Sequence, residues 1–96
     1  MPLKEGPFAL NKETIVTRRN DGFCVYALSR SASQIGIAYV GKSTTLRDRL
    51  NYWFNNPPGL GLTHFFAEAL GSEAAMNARE AELIKELKPA LNTLLK

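Results

Sequence analysis

The sequence has few of the residues that build disulfide or zinc frameworks, with one cysteine and one histidine in 96 residues. Cys24 cannot form an intramolecular disulfide, and no Cys/His group has zinc-ligand spacing. No apolar run approaches the ~20 residues needed to span a bilayer. We therefore expect an intracellular, cytoplasmic protein that is neither secreted nor inserted into a membrane. Neither Cys24 nor His64 is expected to take part in catalysis.

Length and composition indicate one folded domain. Apolar residues make up 45% of the chain and charged residues 22%, a balance typical of globular proteins. The formal charge is +3, and the basic excess lies in residues 1–50, with eight Lys/Arg against four Asp/Glu. Residues 51–96 hold four against five. This distribution is compatible with a polyanionic partner but does not identify one.

The apolar pattern favours an α+β fold built on a small three-stranded antiparallel sheet flanked by helices. The runs Phe23–Leu28 and Ile35–Val40 are close enough in sequence to form a hairpin, and Leu62–Leu70 predicts a third strand. If the hairpin loop is symmetric about residues 32 and 33, Tyr26 and Tyr39 form a cross-strand pair.

Two helices are predicted from caps and apolar spacing. The first begins after Ser43, Thr44 or Thr45 and ends before the Asn-Asn-Pro-Pro-Gly segment of residues 55–59. Its apolar stripe consists of Leu46, Leu50, Trp53 and Phe54. The second is capped by Ser72 and runs to about Leu87, and the tail of residues 89–96 closes the domain.

The N-terminal 21 residues have an ambiguous pattern. Asn11 can cap a short helix, whereas the run from Thr14 to Thr17 favours a strand, so both structures stay open for residues 11–17. We interpret residues 1–21 as an extension that packs on a domain formed by residues 22–96.

Glu80 lies within the apolar stripe of the second helix. On a helical wheel it is within about 60° of Met76, Leu83, Ile84 and Leu87. A carboxylate among core-facing side chains is costly unless a metal or a cation compensates its charge, although a structural salt bridge would also satisfy it. Arg49 flanks the stripe of the first helix, about 40° from Trp53, so we expect its guanidinium near the core, where it could bind a carboxylate or a phosphate.

A basic segment follows the second predicted strand. Tyr39 ends that strand just before Gly41 and a helix N-terminus, where backbone N–H groups favour an anion, and Lys42 adds a positive charge. Two tyrosines, nearby cations and one misplaced carboxylate suit a phosphodiester and a divalent metal. Packing of both phenols in the core is the structural alternative.

These residues resemble the motifs of the GIY-YIG nuclease superfamily, in order and in spacing, from about Gly22 to Asn92. The pattern is most similar to the N-terminal nuclease domain of the excision-repair incision subunit, here as a standalone domain. The matching segments are Val25-Tyr26, Tyr39-Val40-Gly41-Lys42-Ser43, Leu46 with Arg49-Leu50, and Glu80 with Leu83-Ile84-Lys85, Pro89 and Asn92.

The resemblance implies a DNA-repair type of endonuclease that hydrolyses phosphodiester bonds in nucleic acid, DNA being the expected form, with one Mg²⁺ or Mn²⁺. Tyr39, aided by Tyr26, would act as general base or orient the water, and Glu80 would hold the metal. Arg49 and Lys42 would neutralise the scissile phosphate, and Asn92 would support the geometry. The implied substrate-binding residues are Gly41, Lys42, Ser43, Arg47 and Arg49.

Three departures from the family pattern leave alternatives open. Cys24 replaces the first motif's glycine, Trp53 stands where the repair nuclease has a tyrosine, and only residues 57–61 join the first helix to the third strand. The chain could therefore be a nucleic-acid-binding module without turnover. It could also act as a homodimer, or as a nuclease subunit whose partner protein supplies specificity.

Overall fold

The computed structural model describes residues 3–94 of the chain, and its side chains through Asn92. Residues 1, 2, 95 and 96 of the predicted ranges lie outside this part. In chain order the elements are β1 (Glu5–Ala9), α1 (Lys12–Ile15), β2 (Phe23–Ser29), a 3₁₀ turn (Gln34–Gly36), β3 (Ile37–Ser43), α2 (Leu46–Asn55), β4 (His64–Leu70), α3 (Glu73–Leu87) and α4 (Ala90–Leu94). No helix among the described residues is both long and apolar enough to cross a membrane.

The α+β class and the antiparallel sheet are confirmed, but the predicted strand number is wrong. Four strands pair in the order β1-β4-β2-β3, and the additional strand is β1. The sequence did not predict β1, because it contains Gly6 and Pro7, and a proline, which has no N–H to donate to a sheet, argues against a central strand. At the edge of the sheet this restriction costs little, and the register shifts between Glu5 and Phe8.

Residues 11–17 form a helical turn rather than a strand. Asn11 Oδ1 accepts a hydrogen bond from the Thr14 N–H at 2.9 Å, as an N-cap does, and Ile15 is fully buried beneath the turn. The local cap and one apolar anchor therefore prevail over the strand preference of Thr14 to Thr17.

Both predicted long helices are confirmed, with their ends. Ser72 Oγ caps α3 by accepting from the Ala75 N–H at 3.1 Å, and the helix ends at Leu87, before Lys88 with φ of 45°. Thr45 precedes α2 without a side-chain hydrogen bond to the helix. Ser43 Oγ instead accepts from the Thr45 N–H at 2.9 Å, so it shapes the turn that leads into α2.

The sheet separates two apolar cores. The core on the α3 side contains Leu3, which precedes β1, and buried residues of β2, β3, β4 and α3, which are Val25, Ala27, Ile37, Val40, Phe66, Met76 and Leu83. The core on the α2 side contains α1, α2 and the opposite faces of the strands, with Ile15, Cys24, Tyr26, Leu28, Leu46, Leu50, Phe65 and Ala67. Tyr39 and Trp53 pack against the α2-side core. Because β3 ends the strand order, both sides of the sheet meet at its outer edge.

The hairpin register differs from the symmetric one. Tyr26 lies opposite Gly41, and Tyr39 lies opposite Leu28, so the two tyrosines are diagonal neighbours instead of a direct pair. The cause is the 3₁₀ turn, which takes up Gln34–Gly36 and starts β3 two residues later than predicted, with an irregularity between Leu28 and Ser29. The rings still lie near each other, with centroids 6.3 Å apart.

Candidate active site

The predicted residues gather around the outer edge of β3. Tyr39 projects toward the α2 side of the sheet, whereas Lys42 contacts α3 on the other side. Glu80, from α3, lies near enough for its charge to raise the pKa of Tyr39, and Arg49, from α2, lies near enough to lower it. The edge position of β3 explains how groups from opposite faces of one sheet reach the same phenol.

Asn92 holds the backbone of β3 beside Tyr39. Its Oδ1 accepts from the Val40 N–H at 2.8 Å, and its Nδ2 donates to the Val40 carbonyl at 2.8 Å. A side-chain amide thus satisfies a donor and an acceptor that an edge strand would otherwise present to water. The two bonds fix the peptide groups between Tyr39 and Gly41.

Glu80 is partly buried, with 22% of its side chain exposed, and its Oε1 is 3.7 Å from Lys42 Nζ. Lys42 also donates to Asn77 Oδ1 at 2.6 Å, so both groups from α3 converge on one ammonium. We did not predict a role for Asn77 from the sequence, although it lies three residues before Glu80 on the same helix face. That spacing could have identified it.

Arg49 is exposed, so the expectation that its guanidinium lies near the core is wrong. A long side chain at the flank of an apolar stripe can extend past the core to water. Its guanidinium carbon is 5.6 Å from the centroid of the Tyr52 ring, which provides one face of the surface beside Tyr39. An exposed guanidinium at this position is accessible to a phosphate.

The two phenols have different environments. Tyr26 is only 2% exposed, and burial is the main cause that raises its pKa well above the ordinary value. Burial also raises the pKa of Tyr39, followed by the charge of Glu80, while a hydrogen bond with Tyr26 and the charge of Arg49 oppose the rise. Tyr39 is the more accessible of the two, and it faces the charged groups.

Gly41 lies under the Tyr26 ring. A Cβ atom at this position would be 2.5 Å from the Tyr26 hydroxyl oxygen, so only glycine leaves room for the ring where it lies. Gly41 is itself buried. The structure therefore gives Gly41 a packing function beside the site, apart from the predicted contact with substrate.

The N-terminus of α2 is already occupied. The Arg47 N–H donates to the Arg19 carbonyl at 3.2 Å, and the Asp48 N–H donates to Asn20 Oδ1 at 3.0 Å. Arg47 Nε donates to the Arg18 carbonyl at 3.1 Å. The segment before β2 thus takes up the helix N–H groups that we expected to favour an anion, and it draws Arg47 toward itself.

Trp53 donates a hydrogen bond to Tyr26, one of the two candidate catalytic phenols, and the sequence did not predict this bond. Its Nε1–H donates to the Tyr26 hydroxyl oxygen at 2.7 Å. Its ring is 5.2 Å from that of Tyr39, and the Tyr52 ring packs against its other side at 5.0 Å. The signal was its position four residues after Arg49, which places both on one face of α2.

Glu80 is the only carboxylate among the residues that the sequence predicted for this site. Among residues 3–92, no three His, Cys, Asp or Glu side chains are grouped closely enough to hold an ion together. Mg²⁺ often keeps several waters and takes only one or two carboxylates besides substrate phosphates. The partly exposed Glu80, beside an open strand edge, fits that mode of binding.

Comparison with known proteins finds a partial similarity. The UvrABC system protein C of Paenarthrobacter aurescens (strain TC1) is 39% identical over a 69-residue alignment, which covers 62% of this chain and 10% of the relative. No protein-family model matches the chain, and no solved structure matches it significantly. The chain thus spans about a tenth of its relative's length. It contains a region related to UvrABC system protein C.

Proposed function

We propose that this chain is a metal-dependent endonuclease of the GIY-YIG type that hydrolyses phosphodiester bonds in nucleic acid, with DNA as the first substrate to test. The observation that carries the proposal is the meeting of Tyr39, Glu80 and Arg49 at one strand edge, where both charges reach the phenol. The partial similarity to UvrABC system protein C supports it, and it favours DNA repair as the setting.

Each residue would contribute a separate part of the chemistry. Glu80 would hold Mg²⁺ or Mn²⁺, which supplies a Lewis acid for the charge that develops on phosphate oxygens. Arg49 would bind a phosphate oxygen pair from the exposed face of α2. Lys42 would turn from Glu80 toward the phosphate, since its ion pair is loose and 43% of its side chain is exposed. Asn92 would hold the Tyr39 backbone.

Tyr39 would orient the attacking water and, after losing its own hydroxyl proton to solvent, would accept the proton of that water as a phenolate. Burial and the negative charge of Glu80 both raise the pKa of Tyr39, so the neutral phenol dominates as long as Lys42 is the cation beside Glu80. A second cation bound to the Glu80 carboxylate would remove the effect of its charge on Tyr39. The base role therefore depends on the same charge balance as phosphate binding.

The test is cleavage of labelled linear, nicked and branched DNA in Mg²⁺ or Mn²⁺. We expect metal-dependent cutting that falls by at least about a hundredfold in Glu80→Gln and in Arg49→Ala. Glu73→Gln, at the exposed first turn of the same helix, and Arg30→Ala, whose Nε bonds the Leu60 carbonyl, serve as matched controls. Equal cutting by Glu80→Gln and the wild type would refute the assignment.

A binding module without turnover is the second candidate. The ion pair between Lys42 and Glu80 favours it, because the ammonium already compensates the carboxylate that would hold a metal. DNA that is retarded but intact at every metal concentration would support this candidate. Cutting that appears only with a second protein would instead support a subunit whose partner supplies specificity.

A further inference from the structure

Trp53 donates a hydrogen bond to the Tyr26 phenol, at 2.7 Å from Nε1 to the hydroxyl oxygen. An indole N–H can donate but cannot accept. This bond therefore has one possible direction, from Trp53 to Tyr26. Trp53 is the only tryptophan of the sequence, so its N–H can be observed without ambiguity.

The Tyr26 hydroxyl keeps its own proton when it accepts from Trp53, so it can still donate one hydrogen bond, and the phenol beside it is Tyr39. A hydrogen bond with Tyr26 lowers the pKa of Tyr39, which is the effect of a bond that Tyr26 donates. The two rings are 6.3 Å apart, and the Tyr39 ring is also 5.2 Å from that of Trp53. Gly41 leaves the space that the Tyr26 ring occupies, because any Cβ at this position would meet the ring.

We propose that Trp53 is a positioning residue that orders the hydrogen bonds in one direction, from its indole N–H to Tyr26 and from Tyr26 to Tyr39. This assignment rests on the proposed function for its effect on catalysis, but not for the hydrogen bonds themselves. Tyr26 then serves as a donor to the Tyr39 oxygen, so the proton that Tyr39 loses before it acts as a base does not have to pass through Tyr26.

The order of donors has a chemical consequence. A donor that is itself polarised by another donor binds a developing negative charge more strongly. Tyr39 is thus the phenol prepared to carry charge, and Tyr26 is prepared to stabilise it. A phenol at position 53 could either donate or accept, so it would leave the direction open. An indole removes that choice.

The first experiment observes the indole N–H directly by ¹⁵N–¹H NMR and hydrogen exchange, without substrate or metal. We expect a protected proton whose exchange becomes faster by on the order of tenfold in Tyr26→Phe, because the acceptor is lost. Tyr52→Phe is the matched control, since it removes the hydroxyl of a ring that lies 5.0 Å from Trp53 and does not accept this bond. Equal protection in Tyr26→Phe and the wild type would overturn the proposal.

The second experiment measures cleavage with altered donors at position 53. Trp53→Phe keeps an aromatic ring but lacks the N–H, and an analogue with sulfur in place of the indole N–H keeps the shape as well. We expect both to lower kcat by on the order of tenfold with KM unchanged, because only charge stabilisation at Tyr39 is affected. A full kcat in the sulfur analogue would overturn the positioning role.

The two readouts separate this proposal from the proposed function. Absence of cutting in the wild type would contradict the nuclease assignment, whereas the exchange experiment would still decide whether the indole N–H donates to Tyr26. Loss of protection in Tyr26→Phe supports this first bond of the proposal in either case. Retention of protection rejects the bond, and with it the proposal, in either case.

Discussion

Removal of the Asn92 amide is the most direct perturbation of the strand edge that carries the candidate site. Asn92→Ala deletes both 2.8 Å hydrogen bonds to Val40 and leaves a partly buried N–H and C=O without a protein partner. At about 1 kcal/mol net for each bond, with an added cost for incomplete solvation, we expect a loss of about 2–3 kcal/mol. For a domain of this size that corresponds to a fall in Tm of roughly 8–24 °C.

The assay is thermal unfolding followed by circular dichroism, together with urea unfolding to obtain the free energy at 25 °C. Asn56→Ala is the matched control, because it removes one exposed amide bond, from Nδ2 to the Tyr52 carbonyl at 3.1 Å. We expect that variant to lose less than about 0.5 kcal/mol. Equal Tm values for Asn92→Ala and Asn56→Ala would refute the reasoning.

Asn92→Asp tests the direction of the two bonds. The aspartate keeps an acceptor for the Val40 N–H but turns an oxygen toward the Val40 carbonyl at neutral pH. We expect a loss at least as large as that of Asn92→Ala at pH 7, and a smaller loss at acidic pH, where a protonated carboxyl group can again donate. A pH-independent loss would contradict the bond from Nδ2 to the carbonyl.

Three further predictions concern the buried groups. Gly41→Ala forces the Tyr26 ring to move, so we expect about 1–3 kcal/mol of destabilisation in urea unfolding. The same substitution should add little destabilisation in a protein that already carries Tyr26→Ala, because the ring it meets is absent. Glu68 is 5% exposed and pairs with Arg79 at 3.2 Å, and Arg79 also pairs with Glu82, so Glu68→Leu alone should cost about 1–3 kcal/mol, and adding Arg79→Met should recover part of it; equal Tm values for the single and double variants would contradict the pair. Burial raises the pKa of Tyr26, so its contribution to stability is present below the unfolded value of ~10 and is lost as the pH rises above it; the free energy of unfolding should fall above about pH 10, and less steeply in Tyr26→Phe.

Local signals predicted the helices well. Ser72 at the start of α3 and the proline after Lys88 bound that helix in both the sequence and the structure. The same reasoning missed β1, because Gly6 and Pro7 are acceptable only at a sheet edge, and the sequence does not reveal which strand lies there. Strand order is a long-range property that short motifs do not contain.

The candidate site was predictable as a set of residues but not as a set of contacts. Position in the predicted helix and strand led to Glu80 and Tyr39, and the family resemblance led to Asn92; each lies at or beside the edge of β3. The exposure of Arg49 and the bond from Trp53 to Tyr26 depend on side-chain rotamers. Likewise, a helical wheel gives the direction of a side chain and not its reach. The roles of these residues, and the division of the chain at residue 21, stay predictions.

The two cores of this small domain are separated by a sheet of single-layer thickness, and each carries part of the chemistry. Arg49 belongs to α2, which packs in the α2-side core, Glu80 belongs to α3, which packs in the α3-side core, and Tyr39 belongs to β3, a strand of the sheet between them. A cavity opened on one side would therefore displace one charge relative to the other while leaving the opposite helix undisturbed. Alignment of acid and guanidinium depends on how stiffly β3 resists bending.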